Sequence, residues 1–136
     1  GPRVGMDVHH AGIATEDTAA LVTTFGDLLD APVVHEETFD GLSVTFLEVG
    51  GTLLELLEPA GEEDANDPIS RYLAERGGGV HHLAFETEDV AAALDRARDL
   101  GIEPIDDEPR PGAMGHEVAF LHPASTGGVL VEFVGH

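Results

Sequence analysis

The sequence contains no cysteine, no tryptophan and no lysine, and only one tyrosine. Without cysteine there can be no disulfide, no thiolate metal site and no thiol nucleophile. No apolar run approaches the roughly 18–20 residues that a membrane-spanning helix needs, and no signal-peptide pattern opens the chain. A cytoplasmic protein is the expectation. Gly1-Pro2 reads as a protease scar with Met6 as the expected native start, and Gly1 to Gly5 are set apart from the fold. Positive charge is scarce. Six arginines stand against 27 acidic residues, for a net charge of −21. Such a surface repels nucleic-acid phosphates and anionic membranes, so neither is an expected partner. It fits instead a protein from a high-salt organism, where ions screen the self-repulsion.

What the chain has is an internal repeat. Val8-His9-His10-Ala11-Gly12-Ile13-Ala14-Thr15-Glu16-Asp17-Thr18-Ala19-Ala20-Leu21 recurs 72 residues later as Val80-His81-His82-Leu83-Ala84-Phe85-Glu86-Thr87-Glu88-Asp89-Val90-Ala91-Ala92-Ala93, with eight of 14 positions identical. Leu53-Leu54-Glu55-Leu56-Leu57 matches Leu130-Val131-Glu132-Phe133-Val134 at an offset of 77. The second half therefore holds five extra residues, expected in the Pro/Gly-rich stretch Glu108 to Gly115.

Each half reads as a βαβββ unit. A strand opens it (8–14 and 80–86). A helix follows, capped through Thr15-Glu16-Asp17 or Thr87-Glu88-Asp89. The first helix is expected to bury Leu21, Phe25, Leu28 and Leu29. The second is expected to bury Val90, Ala93, Leu94 and Ala97 and to end at Gly101. Three strands complete each unit, near 33–38, 43–49 and 52–58, then 103–107, 117–122 and 129–134. Asp40-Gly41, Gly50-Gly51 and Gly127-Gly128 supply turns. The linker, 59–79, begins acidic (Glu62-Glu63-Asp64) and carries a short helix with Asp67 as cap and Pro68 at its first position. The reading is an α+β fold of two tandem modules, about 7–58 and 80–134, related by a pseudo-twofold axis and forming a single domain over 6–136.

The repeat presents one histidine and one glutamate per half: His10 and Glu55, His82 and Glu132. Alternation along the strand sets His10 with Gly12 and Ala14, and His82 with Ala84 and Glu86, where small or polar neighbours leave room for a ligand. His9 and His81 share the faces that helices would cover. Two imidazoles and two carboxylates suit a divalent ion such as Co²⁺, Mn²⁺, Ni²⁺ or Zn²⁺. A packed or solvated histidine, and a glutamate on a wet face, are the plainer alternatives. Recurrence of both residue types at matching positions favours the metal.

The paired His-strand and Glu-strand halves resemble the vicinal oxygen chelate superfamily, with its glyoxalase/bleomycin-resistance-like fold. Within it, the chain is similar to methylmalonyl-CoA epimerases from about Asp7 to Val134. The segments that carry this are Glu108-Pro109-Arg110-Pro111-Gly112-Ala113-Met114-Gly115, Phe120-Leu121-His122-Pro123, Gly127-Gly128-Val129-Leu130-Val131-Glu132, Glu55-Leu56-Leu57-Glu58-Pro59, Pro68-Ile69 and Gly79-Val80-His81-His82. The resemblance implies an isomerase that interconverts the (R) and (S) forms of methylmalonyl-CoA in propionyl-CoA metabolism. It implies C2 proton transfer through a metal-stabilised enolate, with His10, Glu55, His82 and Glu132 as ligands and Co²⁺ as the first choice of metal. Some bacterial members have Gln at the Glu55 position and a proposed catalytic Glu where this chain has Val44. The expected opposing bases are Glu132 and Glu55, with Glu48 in reserve. Arg110, His122 and Ser125 are expected to bind substrate. His35, His116 and His136 are read as surface residues. The expected partners are an acyl-CoA and a second copy of the chain, as a homodimer. A glyoxalase I-like lactoylglutathione lyase would use the same four ligands. A metal-free binding protein of the same fold is the other alternative. An extradiol oxygenase would need two His and one carboxylate with Fe²⁺, and the fourth ligand Glu55 argues against it.

Overall fold

A computed structural model describes residues 5–61 and 67–136. The acidic opening of the linker, Glu62-Glu63-Asp64, lies outside the described residues, as do the first four. The described chain runs β1 (Asp7–Ala14), α1 (Thr18–Leu29), β2 (Val33–Phe39), β3 (Leu42–Val49), β4 (Thr52–Pro59), α2 (Pro68–Arg76), β5 (Gly79–Glu86), α3 (Val90–Asp99), β6 (Arg110–Pro111), β7 (Glu117–Leu121) and β8 (Val131–Gly135). Its contacts divide into two units: His10–His81, and His82–His136 with residues 5–9.

In the unit His10–His81, β2 pairs antiparallel with β3, β3 antiparallel with β4, and β4 parallel with β1. The Asp40-Gly41 hairpin closes in the left-handed region at both residues (φ 54° and 77°), the conformation a two-residue turn needs. Asp17 caps α1 by accepting from Ala20 N. Leu21, Val22 and Phe25 of α1 pack on Leu47, Leu56 and Ala31. Leu28 and Leu29 do not join them. Leu28 is 72% exposed and Leu29 is exposed too. The expected four-residue apolar face therefore ends one turn early, where the chain leaves α1 through Asp30 at φ 54°. Asp67 caps α2 through Ile69 N and Ser70 N, with Pro68 first in the helix.

In the other unit, β5 pairs parallel with β8, β8 antiparallel with β7, and β7 antiparallel with β6. Val90, Ala93, Leu94 and Ala97 of α3 are all buried, against Ala119, Leu121 and Phe133. Gly101 follows α3 at φ 78°, as a helix stop requires. The strand expected at 103–107 is not formed. Pro104 makes one isolated bridge to Leu121, and it has no N–H for a ladder. The segment still holds to β7 through His122 N donating to Glu103 O at 2.7 Å and Ile105 N donating to Phe120 O at 2.8 Å, and Asp106 Oδ2 accepts from Phe120 N at 2.8 Å.

Strand register relocates the five extra residues of the second half. Gly12 lies opposite Glu55 and Phe46 also opposite Glu55; Ala84 lies opposite Glu132 and Phe120 also opposite Glu132. Phe46 and Phe120 are thus equivalent at an offset of 74, between the 72 and 77 of the flanking strands. Two extra residues precede Phe120, and three lie between Phe120 and Glu132. There a 3₁₀ turn (Pro123–Ser125) and Gly127-Gly128 take the place of the tight Gly50-Gly51 turn.

Candidate metal centre

Each unit carries one buried His–Glu pair, and the two are built alike. In the first, His10 lies on β1 and Glu55 on the parallel strand β4. The residue directly opposite Glu55 is Gly12. It has no side chain, so the carboxylate leans toward His10, with Nε2 and Oε1 3.2 Å apart. In the second, Ala84 stands opposite Glu132, and His82 Nε2 lies 3.1 Å from Glu132 Oε1. His10 and His82 are each 4% exposed, Glu55 and Glu132 each 6%.

A carboxylate at that depth is costly unless a positive partner or hydrogen bonds compensate it. Two donors bound to one ion at about 2.0–2.1 Å, with a bond angle between a right angle and the tetrahedral value, lie about 2.9–3.4 Å apart. Both His–Glu separations fall in that window. Each pair, His10 with Glu55 and His82 with Glu132, supplies buried donor atoms of the kind that hold a metal ion. The donor set of neutral imidazoles and carboxylates fits a borderline divalent cation.

A pair of phenylalanines completes the likeness. Phe46 meets the His10 ring edge-to-face at 5.9 Å and 86°. Phe120 meets the His82 ring at 5.5 Å and 81°. These contacts fix the imidazole planes and exclude water beside them. Sequence reasoning missed both. The only available signal was their shared place before a Glu-bearing strand, blurred by the 74-residue offset.

Other expected site residues are placed as follows. Val44 is buried opposite Leu57, on the face that carries Glu55. Glu48 lies on the same face opposite Leu53 but is exposed. Arg110 Nε donates to Asp106 Oδ1 at 3.0 Å, and its guanidinium lies over the Phe120 ring at 5.5 Å. It therefore sits against the ring that packs on His82. His122 and Ser125 shape the β7–β8 loop: Ala124 N donates to His122 Nδ1, and Glu103 N donates to Ser125 Oγ. His81 packs on Tyr72 of α2, as its face requires.

The three histidines read as plain surface residues are each engaged. His35 Nε2 donates to Glu37 Oε1 at 2.9 Å. The His116 ring meets both His9 and His136 edge-on, and His136 also pairs with Glu86.

A repeated βαβββ unit with a buried His–Glu pair in each copy defines a class. The family model for the glyoxalase/bleomycin resistance protein/dioxygenase superfamily matches residues 9–120. The ethylmalonyl-CoA/methylmalonyl-CoA epimerase of Cereibacter sphaeroides is 37% identical over 92% of this chain and 94% of its own. The human mitochondrial methylmalonyl-CoA epimerase is 34% identical over 92% of this chain and 71% of its own. Among solved structures, the Mycobacterium tuberculosis methylmalonyl-CoA epimerase superposes with a TM-score of 0.87 at 31% identity, covering 94% of this chain and 86% of that one. A Streptomyces coelicolor methylmalonyl-CoA epimerase variant in complex with 2-nitronate-propionyl-CoA superposes with a TM-score of 0.85 at 38% identity, covering 95% and 93%. The chain belongs to this superfamily and, within it, to the methylmalonyl-CoA epimerase family of isomerases.

Proposed function

We propose that the chain interconverts (R)- and (S)-methylmalonyl-CoA by moving the C2 proton, with His10, Glu55, His82 and Glu132 as ligands of one divalent ion. The observation that carries this reading is the duplicated buried His–Glu pair in a chain of this family. Bound there, such an ion supplies Lewis-acid stabilisation of negative charge on the substrate oxygens. The thioester and carboxylate oxygens of the substrate suit bidentate chelation. The protein's own work is to take the C2 proton from one face of the substrate and return one to the other face of the planar enolate that results. Glu132 is the base on one side. On the His10–Glu55 side, Glu55 is the ligand and the candidate base.

Arg110, held by Asp106 and Phe120, binds an anionic group of the substrate, its carboxylate or a CoA phosphate. His122 and Ser125 line the mouth. In this reading the two modules act as one domain over 6–136, the working form is a homodimer, and Co²⁺ is the first ion to load. The cysteine-free composition fits the cytoplasm and the charge fits a halophile.

The test is substrate choice. Loaded with Co²⁺ and given methylmalonyl-CoA in D₂O, the protein exchanges the C2 hydrogen and interconverts the epimers, while the glutathione–methylglyoxal hemithioacetal is not turned over. Turnover of the hemithioacetal without C2 exchange would transfer the site to a glyoxalase I reaction. Binding of either ligand without turnover would make it a binding protein.

A further inference from the structure

The edge strand β2 carries a carboxylate on the same sheet face as His10 and Glu55. Directly paired residues of neighbouring strands project to one side. The register His35↔Phe46 and Phe46↔Glu55 places His35, Phe46 and Glu55 in one row across β2, β3 and β4. The next row holds Glu37, Val44 and Leu57. The ring contacts confirm the shared face, because Phe46 meets His10 on one side and His35 at 6.1 Å on the other.

Glu37 differs from Glu55 in two respects. It is not one of the two duplicated glutamates, so the metal reading leaves its carboxylate unused. Its side chain is 25% exposed, and that of its partner His35 37%, so a proton gained there can pass to water. In its row, Val44, short, apolar and buried, separates Glu37 from Leu57 of β4 across two strand spacings of about 4.8 Å each.

We propose that Glu37, oriented by the Nε2–H of His35, is the acid/base group on the His10–Glu55 side of the substrate, leaving Glu55 as ligand alone. This rests on the epimerase reading. The step balances: the C2–H bond breaks, its proton goes to a Glu37 oxygen and its electron pair stays in the enolate. The opposing acid then delivers a proton to the other face of C2. Glu37 returns its proton to water, and the opposing group takes one back. In the reverse direction the roles exchange. His35 is a positioning residue that fixes which carboxylate oxygen points along the face.

A two-base site has a signature that structural damage does not reproduce. Each base exchanges the C2 hydrogen of one epimer only. Glu37→Gln in the Co²⁺-loaded protein should therefore keep D₂O exchange from one purified epimer within a few-fold of the parent, while exchange from the other falls about 100-fold. Interconversion falls by the same factor, and bound metal is unchanged. His35→Gln should give a smaller defect on the same side, and Glu37→Asp should restore part of the lost exchange. Equal loss from both epimers, or no loss from either, overturns the assignment of Glu37. A parent protein that exchanges neither epimer contradicts the epimerase reading itself, and the inference falls with it.

Discussion

Replacing Glu132 by Gln lowers epimerisation by about 10³-fold even when excess Co²⁺ keeps the site full. The substitution keeps an oxygen donor and nearly the same volume, so β8 and its pairing with β5 and β7 persist. What is lost is a negative charge 3.1 Å from His82 Nε2 in a 6% exposed position, together with the ability to carry a proton. A positioned general base contributes about 10²–10⁴-fold, and a neutral donor also holds a dication less well. His82→Ala should act differently: it opens a vacancy in the ligand set, so bound metal and activity fall together. Turnover measured beside metal content, from one purification, separates the two. Unchanged turnover in the Glu132→Gln protein at full occupancy would remove Glu132 from the proton transfer.

The second large effect is on stability. With 27 acidic residues and six arginines, acidic side chains outnumber arginines by 21 (27 − 6). Arg98 is taken by Asp95 and Arg110 by Asp106. Screening length shrinks from about 8 Å at physiological salt to about 3 Å at 1 M. Relief of a few kcal/mol of repulsion corresponds to roughly 10 °C in midpoint for a chain of this size. The unfolding midpoint should accordingly rise by about that much between 0.1 and 1 M KCl and flatten above it, as screening saturates. A midpoint independent of KCl would show that the acidic surface does not limit stability and would end the halophile reading.

The sequence made the repeat visible because identity at a fixed spacing needs no knowledge of pairing. His10 and His82 followed from strand alternation beside Gly12 and Ala84. The cap at Asp67 was a local signal and it forms; the segments Thr15-Glu16-Asp17 and Thr87-Glu88-Asp89 also cap their helices, each through its Asp. What stayed hidden depends on partners far along the chain. The edge-on contact of Phe46 with His10 is set by β3–β4–β1 register and that of Phe120 with His82 by β7–β8–β5 register, which no single segment encodes. The 103–107 segment was expected as the first of the three strands that complete the second half, but Pro104 lacks the N–H of a regular ladder and only an isolated bridge to Leu121 forms there. Leu28 and Leu29 kept helical spacing with the partly buried Leu21 and Phe25 of α1, yet both stay exposed at the end of the helix beside its Asp30 cap. Inserted residues could be counted from the two offsets, but only pairing could divide them between the stretch before Phe120 and the β7–β8 loop.

Metal dependence of C2 exchange tests the central claim most directly. The protein is stripped with EDTA, freed of chelator, and given methylmalonyl-CoA in D₂O before and after one equivalent of Co²⁺ per chain. The account predicts that exchange and epimer interconversion are absent from the stripped protein and return together at one equivalent. Full exchange in the stripped protein, or none at full loading in high salt, would contradict it.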